Sequence, residues 1–378
     1  MKTMPARIQT LARRISTPVI LAGIVLVIAM ITVIRDDAVF ERVVTVMFIN
    51  LLLVLGLQAF MGNSGLGSFG QYAFVLIGAY SSIWFSLTPQ QKSLALPDMP
   101  EEWWLYDQHF SFPASVLMGG LTALLVGAVI GVAFVRLRGA SFTIATFAFL
   151  IVIHSVALQW EQVTRGSRTV IGIPRYTSLW YAAGWAIAAV LVVFAFKEST
   201  IGIKLRASRE DEEAAASIGV NVKLMRWFGW SLSVFLSGIG GALWAHFIQQ
   251  FSPQSFYLKE TFLIVAMLVI GGSATVSGAV IGAVAVALTS EGMRQLENWW
   301  NLERQTGTTI GDLLPFQLIG FTEIVIALAM ILVLVLRPSG IMGGRELVWP
   351  ARGRGTPPAS AIRDPAPAHL APQDSVSS

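Results

Sequence analysis

Apolar residues fall along this chain in long uninterrupted blocks separated by short polar stretches. The blocks show neither the strict alternation of a strand nor the one-sided stripe of a surface helix. Several reach the roughly 20 residues that an α-helix needs to cross a bilayer. They predict spans at 18–34, 43–60, from just after Gln71 to Leu87, and at 113–135, 140–160, 178–196, 224–247 and 315–336. A further block, 261–289, is long for one crossing and is interrupted by Gly271-Gly272-Ser273-Ala274-Thr275-Val276-Ser277-Gly278. The expected fold is an all-α, polytopic transmembrane helix bundle of about eight full spans plus a broken re-entrant helix pair.

Charge sets the expected sidedness. The arm 1–17 carries Lys2, Arg7, Arg13 and Arg14 with no acid, and predicts a cytoplasmic N-terminus. Loop 88–112 sets Asp98, Glu101, Glu102 and Asp107 against Lys92 and reads as external, whereas the turn with Arg136 and Arg138 reads as cytoplasmic. Parity then bears on 261–289. The residues after the last span, with Arg337, Arg345, Arg352, Arg354 and Arg363, are cytoplasmic if that block enters and returns, which puts loop 290–314 outside. Loop 161–177, with Arg165, Arg168 and Arg175, violates the bias; a misassigned span and an anchoring or substrate-facing role each account for it. The chain divides into the arm 1–17, a transmembrane domain 18–343 and a tail 344–378, whose Pro-, Ala- and Ser-rich composition predicts disorder.

Composition narrows the class. Hydrophobic residues make up 54% of the 378 and mean hydropathy is +0.67, which excludes an ordinary soluble domain. The net charge of +4 is scattered over short loops, so no nucleic-acid partner is expected. There is no cysteine, the four histidines are scattered and no P-loop occurs, so no cofactor is expected and the chain is not expected to hydrolyse ATP. Arg35-Asp36-Asp37 follows the first apolar block where a signal peptide would have its cleavage site.

One passage breaks the apolar pattern in mid-chain. Lys197 to Arg226 holds six basic and five acidic residues. Ser208 and Asp211 form a capping-box-like start, Glu212-Glu213-Ala214-Ala215-Ala216 favours helix, and Gly219 supplies a left-handed end. The prediction is a helix of about ten residues, a turn at Gly219 and a second helix entering the membrane near Leu224. A soluble, mixed-charge surface here suits the docking of another protein; a solvated loop is the plainer reading.

The glycines of 62–71 (Gly62, Gly65, Gly67, Gly70) and Gly271, Gly272 and Gly278 carry two readings. They are helix breaks lining a pathway, where free N–H groups meet a carboxylate, or sites of close helix packing. His154 and Glu323 fall inside predicted spans and are read as interhelical hydrogen-bonding groups or a proton relay. Trp103-Trp104 and Trp299-Trp300 fit interfacial belts.

Glu213-Ala214-Ala215-x-x-x-Gly219 resembles the EAA signature of permease subunits in bacterial binding-protein-dependent ABC importers. Further stretches resemble the branched-chain amino acid branch: the glycine-rich 62–71 before Ala73-Phe74, Leu137-Arg138-Gly139, Gly172-Ile173-Pro174, Arg206-Ala207-Ser208-Arg209-Glu210, Ser252-Pro253, Gly271-Gly272 and Arg337-Pro338-Ser339-Gly340. The resemblance covers roughly 40–343 and implies a coupling helix within loop 197–223, seated in a groove of the ATPase through Arg209, Glu210, Glu213, Ala214, Ala215 and Gly219. It also implies two ABC ATPase subunits, a second homologous permease, a periplasmic substrate-binding protein and surrounding membrane lipid as partners. A bacterial inner-membrane location and transport of leucine, isoleucine and valine follow from it, with urea, short amides or other amino acids as substrates of the same family. Candidate pathway residues are Gly65, Gly67, Gly70, Gln71, His154, Gly271, Gly272, Ser273 and Gly278; members commonly carry arginine where this chain has His154. An ion-coupled secondary transporter is the reading from another class, and a membrane enzyme has no catalytic constellation to support it.

Overall fold

The computed structural model describes residues 6–305, 320–337 and 339–347. In chain order its helices are α1 (Ala6–Arg35), α2 (Ala38–Leu57), α3 (Gln71–Ser86), α4 (Pro89–Ala95), α5 (Trp104–Asp107), α6 (Phe112–Phe134), α7 (Gly139–Gln159), α8 (Glu161–Thr164), α9 (Leu179–Glu198), α10 (Thr200–Glu210), α11 (Glu212–Ser217), α12 (Val222–Ile248), α13 (Leu258–Gly271), α14 (Val276–Gln305) and α15 (Phe321–Leu336). A π-helical turn, Gln58–Gly62, continues α2, and a 3-10 turn, Pro253–Phe256, precedes α13. The fold is all-α as the apolar blocks predict, with a single isolated bridge, Val170 to Phe251, among the described residues. Eight helices within them are long and apolar enough to cross a membrane: α1, α2, α6, α7, α9, α12, α13 with its 3-10 turn, and α14.

Helix α12 is the axis of the bundle and packs against α2, α3 and α6. The approach to α3 is close because both helices present glycine: a Cβ on Gly241 would lie 2.0 Å from the Val75 carbonyl oxygen, and one on Gly78 2.2 Å from that of Gly238. Apolar transfer gives no drive between helices already in lipid, so such backbone contact supplies much of the cohesion. Beside it, Trp230 is ringed edge-on by Phe60, Phe74, Phe134 and Phe142, with centroids 5.4–5.7 Å away, and its indole N–H donates to the Gly127 carbonyl at 2.8 Å. The outer faces of α1, α6, α7 and α15 expose Val27, Leu125, Ile144 and Leu328, as lipid-facing surfaces do.

The charged passage and the α6–α7 turn meet at one end of this bundle, called here the charged end. Loops 88–111 and 161–177 lie at the other. There Lys92 is fully buried and donates to the carbonyls of Leu105, Tyr106 and Gln108 at 2.7, 2.9 and 2.6 Å. Burial pushes its pKa down to about 8 against the pull of Asp107, so at neutral pH it still carries the three N–H groups that these acceptors need. Lys92→Met leaves three half-buried carbonyls without this donor, at up to about 1 kcal/mol each. The expected result is several-fold faster limited proteolysis within 96–110, with the spans intact.

Several expectations are corrected. Helix α1 starts at Ala6, so most of the expected arm 1–17 is helical. The break in 261–289 is real, at Gly272–Thr275, but α14 then runs on to Gln305. Residues 290–305, expected as an external loop, are therefore helix, and 306–314 lie outside the described residues. Of the tail, 344–347 are packed against the bundle; 348–378 lie outside the description. Spans on either side of 161–177 fall where predicted, which removes misassignment as the cause of its charge. Its arginines have partners within the protein: Arg165 the Thr169 carbonyl at 2.9 Å, Arg168 the Asp98 carboxylate at 3.7 Å, and Arg175 the Phe247 ring, 5.2 Å below it.

Candidate functional site

The charged passage folds as two short helices, not one. Asp211 is both the C-cap of α10 and the N-cap of α11, and its carboxylate accepts from the Glu213 and Ala214 N–H groups at 2.9 Å each. Ser208, expected as the cap, lies inside α10 and donates to the Leu205 carbonyl instead. Asp211 wins because its carboxylate both fits the cap and meets the positive end of the helix dipole. Gly219 closes α11 with φ +85°, its neighbour Val220 donating back to Ala215. Helix α12 then starts under an Asn221 cap on Leu224 N–H. The result is a helical elbow in which Glu210, Glu213, Ala214 and Gly219 are exposed and Ala215 is buried.

The elbow is fixed to the bundle by charge. Glu212 pairs with Arg226 of α12 at 2.8 Å and with Arg138, before α7, at 3.2 Å. On α10, Arg209 donates to the Gly62 carbonyl at 2.7 Å, and Arg206 to Asn63 Oδ1 at 3.2 Å and to the Lys197 carbonyl at 2.5 Å. Both arginines therefore grip the end of the π-helical turn. From Gly65, with φ +73°, the backbone runs without helix to Gly70, pinned to α7 by Thr143 Oγ1 on the Gly67 carbonyl and by Phe69 N–H on Thr146 Oγ1. Gln71 then opens α3 fully buried, donating to the Ser233 carbonyl at 3.0 Å and to the hydroxyls of Ser233 and Ser237 on α12.

The second glycine stretch arrives at the same place. The Ser273 carbonyl lies against Gly62 and accepts from Gln58 Nε2 at 3.5 Å, while the Ala274 carbonyl accepts from Lys197. Gly271 and Gly278 face each other across the break too closely for any side chain. The tail closes this corner. The Glu346 carboxylate accepts from Val276 and Ser277 N–H at 3.0 Å each, from Ser277 Oγ at 2.6 Å, and from the Lys197 ammonium. Ile341 and Met342 donate to the last carbonyls of α13, and Thr17 donates to Leu347. Burial raises the Glu346 pKa, but Lys197 and the Ser277 hydrogen bonds more than reverse this and hold it below the ordinary carboxylate value.

Most predicted site residues thus gather at one end: Arg209, Glu210, Glu213, Ala214, Ala215 and Gly219 on the elbow, Gly65, Gly67, Gly70 and Gln71 beside it, and Gly271, Gly272, Ser273 and Gly278 behind. His154 does not join them. It stands about 22 Å along α7 from Gly139, by the helical rise, and stacks on Tyr257 at 4.2 Å. Glu323 is also remote, in the first turn of α15, paired with Lys259 at 2.5 Å. Sequence reasoning missed Glu212, Arg226, Lys197 and Glu346; only the mixed charge of 197–226 hinted at the first three.

A multi-span helical bundle with a charged, capped elbow at one end defines a membrane protein of the permease type. The family model described as branched-chain amino acid transport system / permease component matches residues 39–336, and the chain belongs to that family. It is similar to the high-affinity branched-chain amino acid transport system permease protein LivM of Escherichia coli (strain K12), 25% identical over 68% of this chain and 64% of the relative. The match thus spans somewhat under two thirds of that relative's length. The nucleoside ABC transporter permease protein NupC of Lactococcus lactis is 26% identical over 56% of this chain and 68% of its own length. The guanosine ABC transporter permease protein NupQ of Bacillus subtilis is 26% identical over 58% and 71%. No solved structure matches significantly.

Proposed function

We propose that this chain is the transmembrane permease subunit of an ATP-driven importer in a bacterial inner membrane, moving leucine, isoleucine and valine. The charged end faces the cytoplasm in this reading, with both termini on that side. Two ABC ATPase subunits dock there, a second homologous permease pairs with this one, and a periplasmic binding protein delivers ligand at the opposite end. The observation that carries the reading is the elbow. Its outward side offers Glu213, Ala214 and an Ile218 that is 79% exposed, while its inward side is bonded through Glu212 to α12, the axis of the bundle. A push on α11 therefore reaches the spans through an ion pair and one shared capping residue.

Transport through Gly65–Gln71 and Gly271–Gly278 is part of the same reading. Both stretches interrupt helices and both adjoin the π-helical turn: Gly65–Gln71 follows it, and the Ser273 carbonyl lies against its Gly62, which Arg209 of α10 holds, so a shift of the elbow is passed to that turn. Glu213→Lys in the reconstituted complex is expected to lower ligand-stimulated ATPase activity at least tenfold while folding is unchanged. Gly219→Leu should act similarly, because a branched side chain resists positive φ at a cost of roughly 1–2 kcal/mol. Normal coupled transport in both variants would remove the docking role.

A second substrate reading, nucleosides, is favoured by the likeness to NupC and NupQ. Competition for uptake between labelled leucine and guanosine, each with its own binding protein, separates the two. Ion-coupled transport finds less support: Glu323, its best sequence feature, is ion-paired at the opposite end.

A further inference from the structure

Beneath the elbow lies a cavity of about 360 Å³, within the size range of small-ligand sites. Its walls include Arg138, Arg209 and Arg226, against Glu212 as the one carboxylate lining it. Gly65 and Ser208 complete its inner wall. Three guanidinium groups and one carboxylate leave an excess of two positive charges at a partly enclosed site.

Arg226 anchors the carboxylate. Its side chain is buried, its two terminal nitrogens face Glu212, and its Nε–H has no hydrogen-bond partner among the described residues. Arg138 is held by Glu212 on one edge only and is otherwise open, with 71% of its side chain exposed. Helix α7 starts at Gly139, on the cavity wall, and no side chain among the described residues caps its first N–H groups, so its positive end adds to the same field. The open guanidinium fork of Arg138, the neighbouring Arg209 and Arg226 charges and the start of α7 are together suited to an anion with several oxygens.

We propose that this cavity binds a phosphate group. Two sources share that chemistry. The α6–α7 turn stands at the edge of an apolar surface carrying Val129, Val132 and Ile144, so the phosphodiester of an anionic lipid can enter from the side. A free phosphate can enter from the charged end. Either would screen the three arginines from one another and stiffen the elbow against α12. This site rests on the cavity itself and not on the identity of the transported solute.

The full-length chain, purified in a zwitterionic detergent, separates these cases. Native mass spectrometry with phosphatidylglycerol and phosphatidylcholine tests the lipid, and calorimetric titration with inorganic phosphate tests the free anion. Arg138→Gln is the variant of choice because Arg138 is exposed, and circular dichroism verifies its fold. We expect wild type to retain phosphatidylglycerol at least tenfold over phosphatidylcholine, or to bind inorganic phosphate, with a tenfold loss in Arg138→Gln and weakening in high salt. Retention of neither probe, or binding by a folded Arg138→Gln equal to wild type, overturns the site whatever the outcome for transport.

Discussion

Glu346→Ala is expected to loosen the charged end as a unit. The substitution leaves the Lys197 ammonium buried, with 9% of its side chain exposed, and it takes the acceptor from the first two N–H groups of α14. Removing one partner of a buried ion pair costs about 3–5 kcal/mol, whereas replacing both by apolar groups is often close to neutral. The Glu346→Met, Lys197→Met double variant should therefore recover the part of the lost thermal stability that comes from the unpaired ammonium, and not the part that comes from the start of α14. Equal loss in the single and double variants would show the pair to be incidental. The pH dependence has a definite sign. Because the folded pKa lies below the ordinary carboxylate value, the contribution is complete above about pH 5 and fades as pH falls through and below the usual carboxylate range. Thermal melts of wild type should fall in that acid window more steeply than those of Glu346→Gln.

The largest expected effect on assembly belongs to Gly241→Leu. Its Cβ alone would stand 2.0 Å from the Val75 carbonyl oxygen and 3.0 Å from the Ala79 nitrogen, both rigid backbone atoms. Helices α3 and α12 must separate, which opens the Gln71–Ser233–Ser237 hydrogen bonds and disturbs the Trp230 cluster. Overpacking of this kind costs about 3 kcal/mol or more, and the yield of monodisperse protein is expected to fall several-fold. Gly184→Leu is the matched control: it lies on the exposed face of α9 with nothing within 4 Å of a Cβ. Comparable losses from both would mean that side-chain bulk anywhere in a span is harmful, and the α3–α12 seam would lose its special standing.

The bundle itself was legible because span length follows from bilayer thickness, a constraint that acts on each block alone. The elbow was legible for its charge and for Gly219, whose role depends on its own φ. Its division at Asp211 was not, since two caps three residues apart compete and the winner depends on how α10 docks on the π-helical turn. Glu212 was passed over for Glu213 because the two are neighbours on a short helix; which one turns inward depends on the position of Arg226, 14 residues later. Glu346 was hidden more thoroughly. It sits where composition shifts toward a tail, and nothing local marks it as the cap of a helix starting 70 residues earlier. Similarly, the arginines of 161–177 break the bias of basic residues toward cytoplasmic loops, and two of the three groups that hold them, the Asp98 carboxylate and the Phe247 ring, lie in other parts of the fold.

Helix α14 is capped locally only in part: the Thr275 hydroxyl accepts from the Gly278 N–H, while the Val276 and Ser277 N–H groups find their acceptor on Glu346, which the ribosome delivers much later. Thr17, near the start, also finds its acceptor only at Leu347. During synthesis the α13–α14 hairpin must therefore form with its first two N–H groups still unmet, and α1 is stapled to the residues after α15 only once Leu347 has been made. A product that stops at the end of α15 would keep the described helices and lack this fastening between α1, α9 and α14.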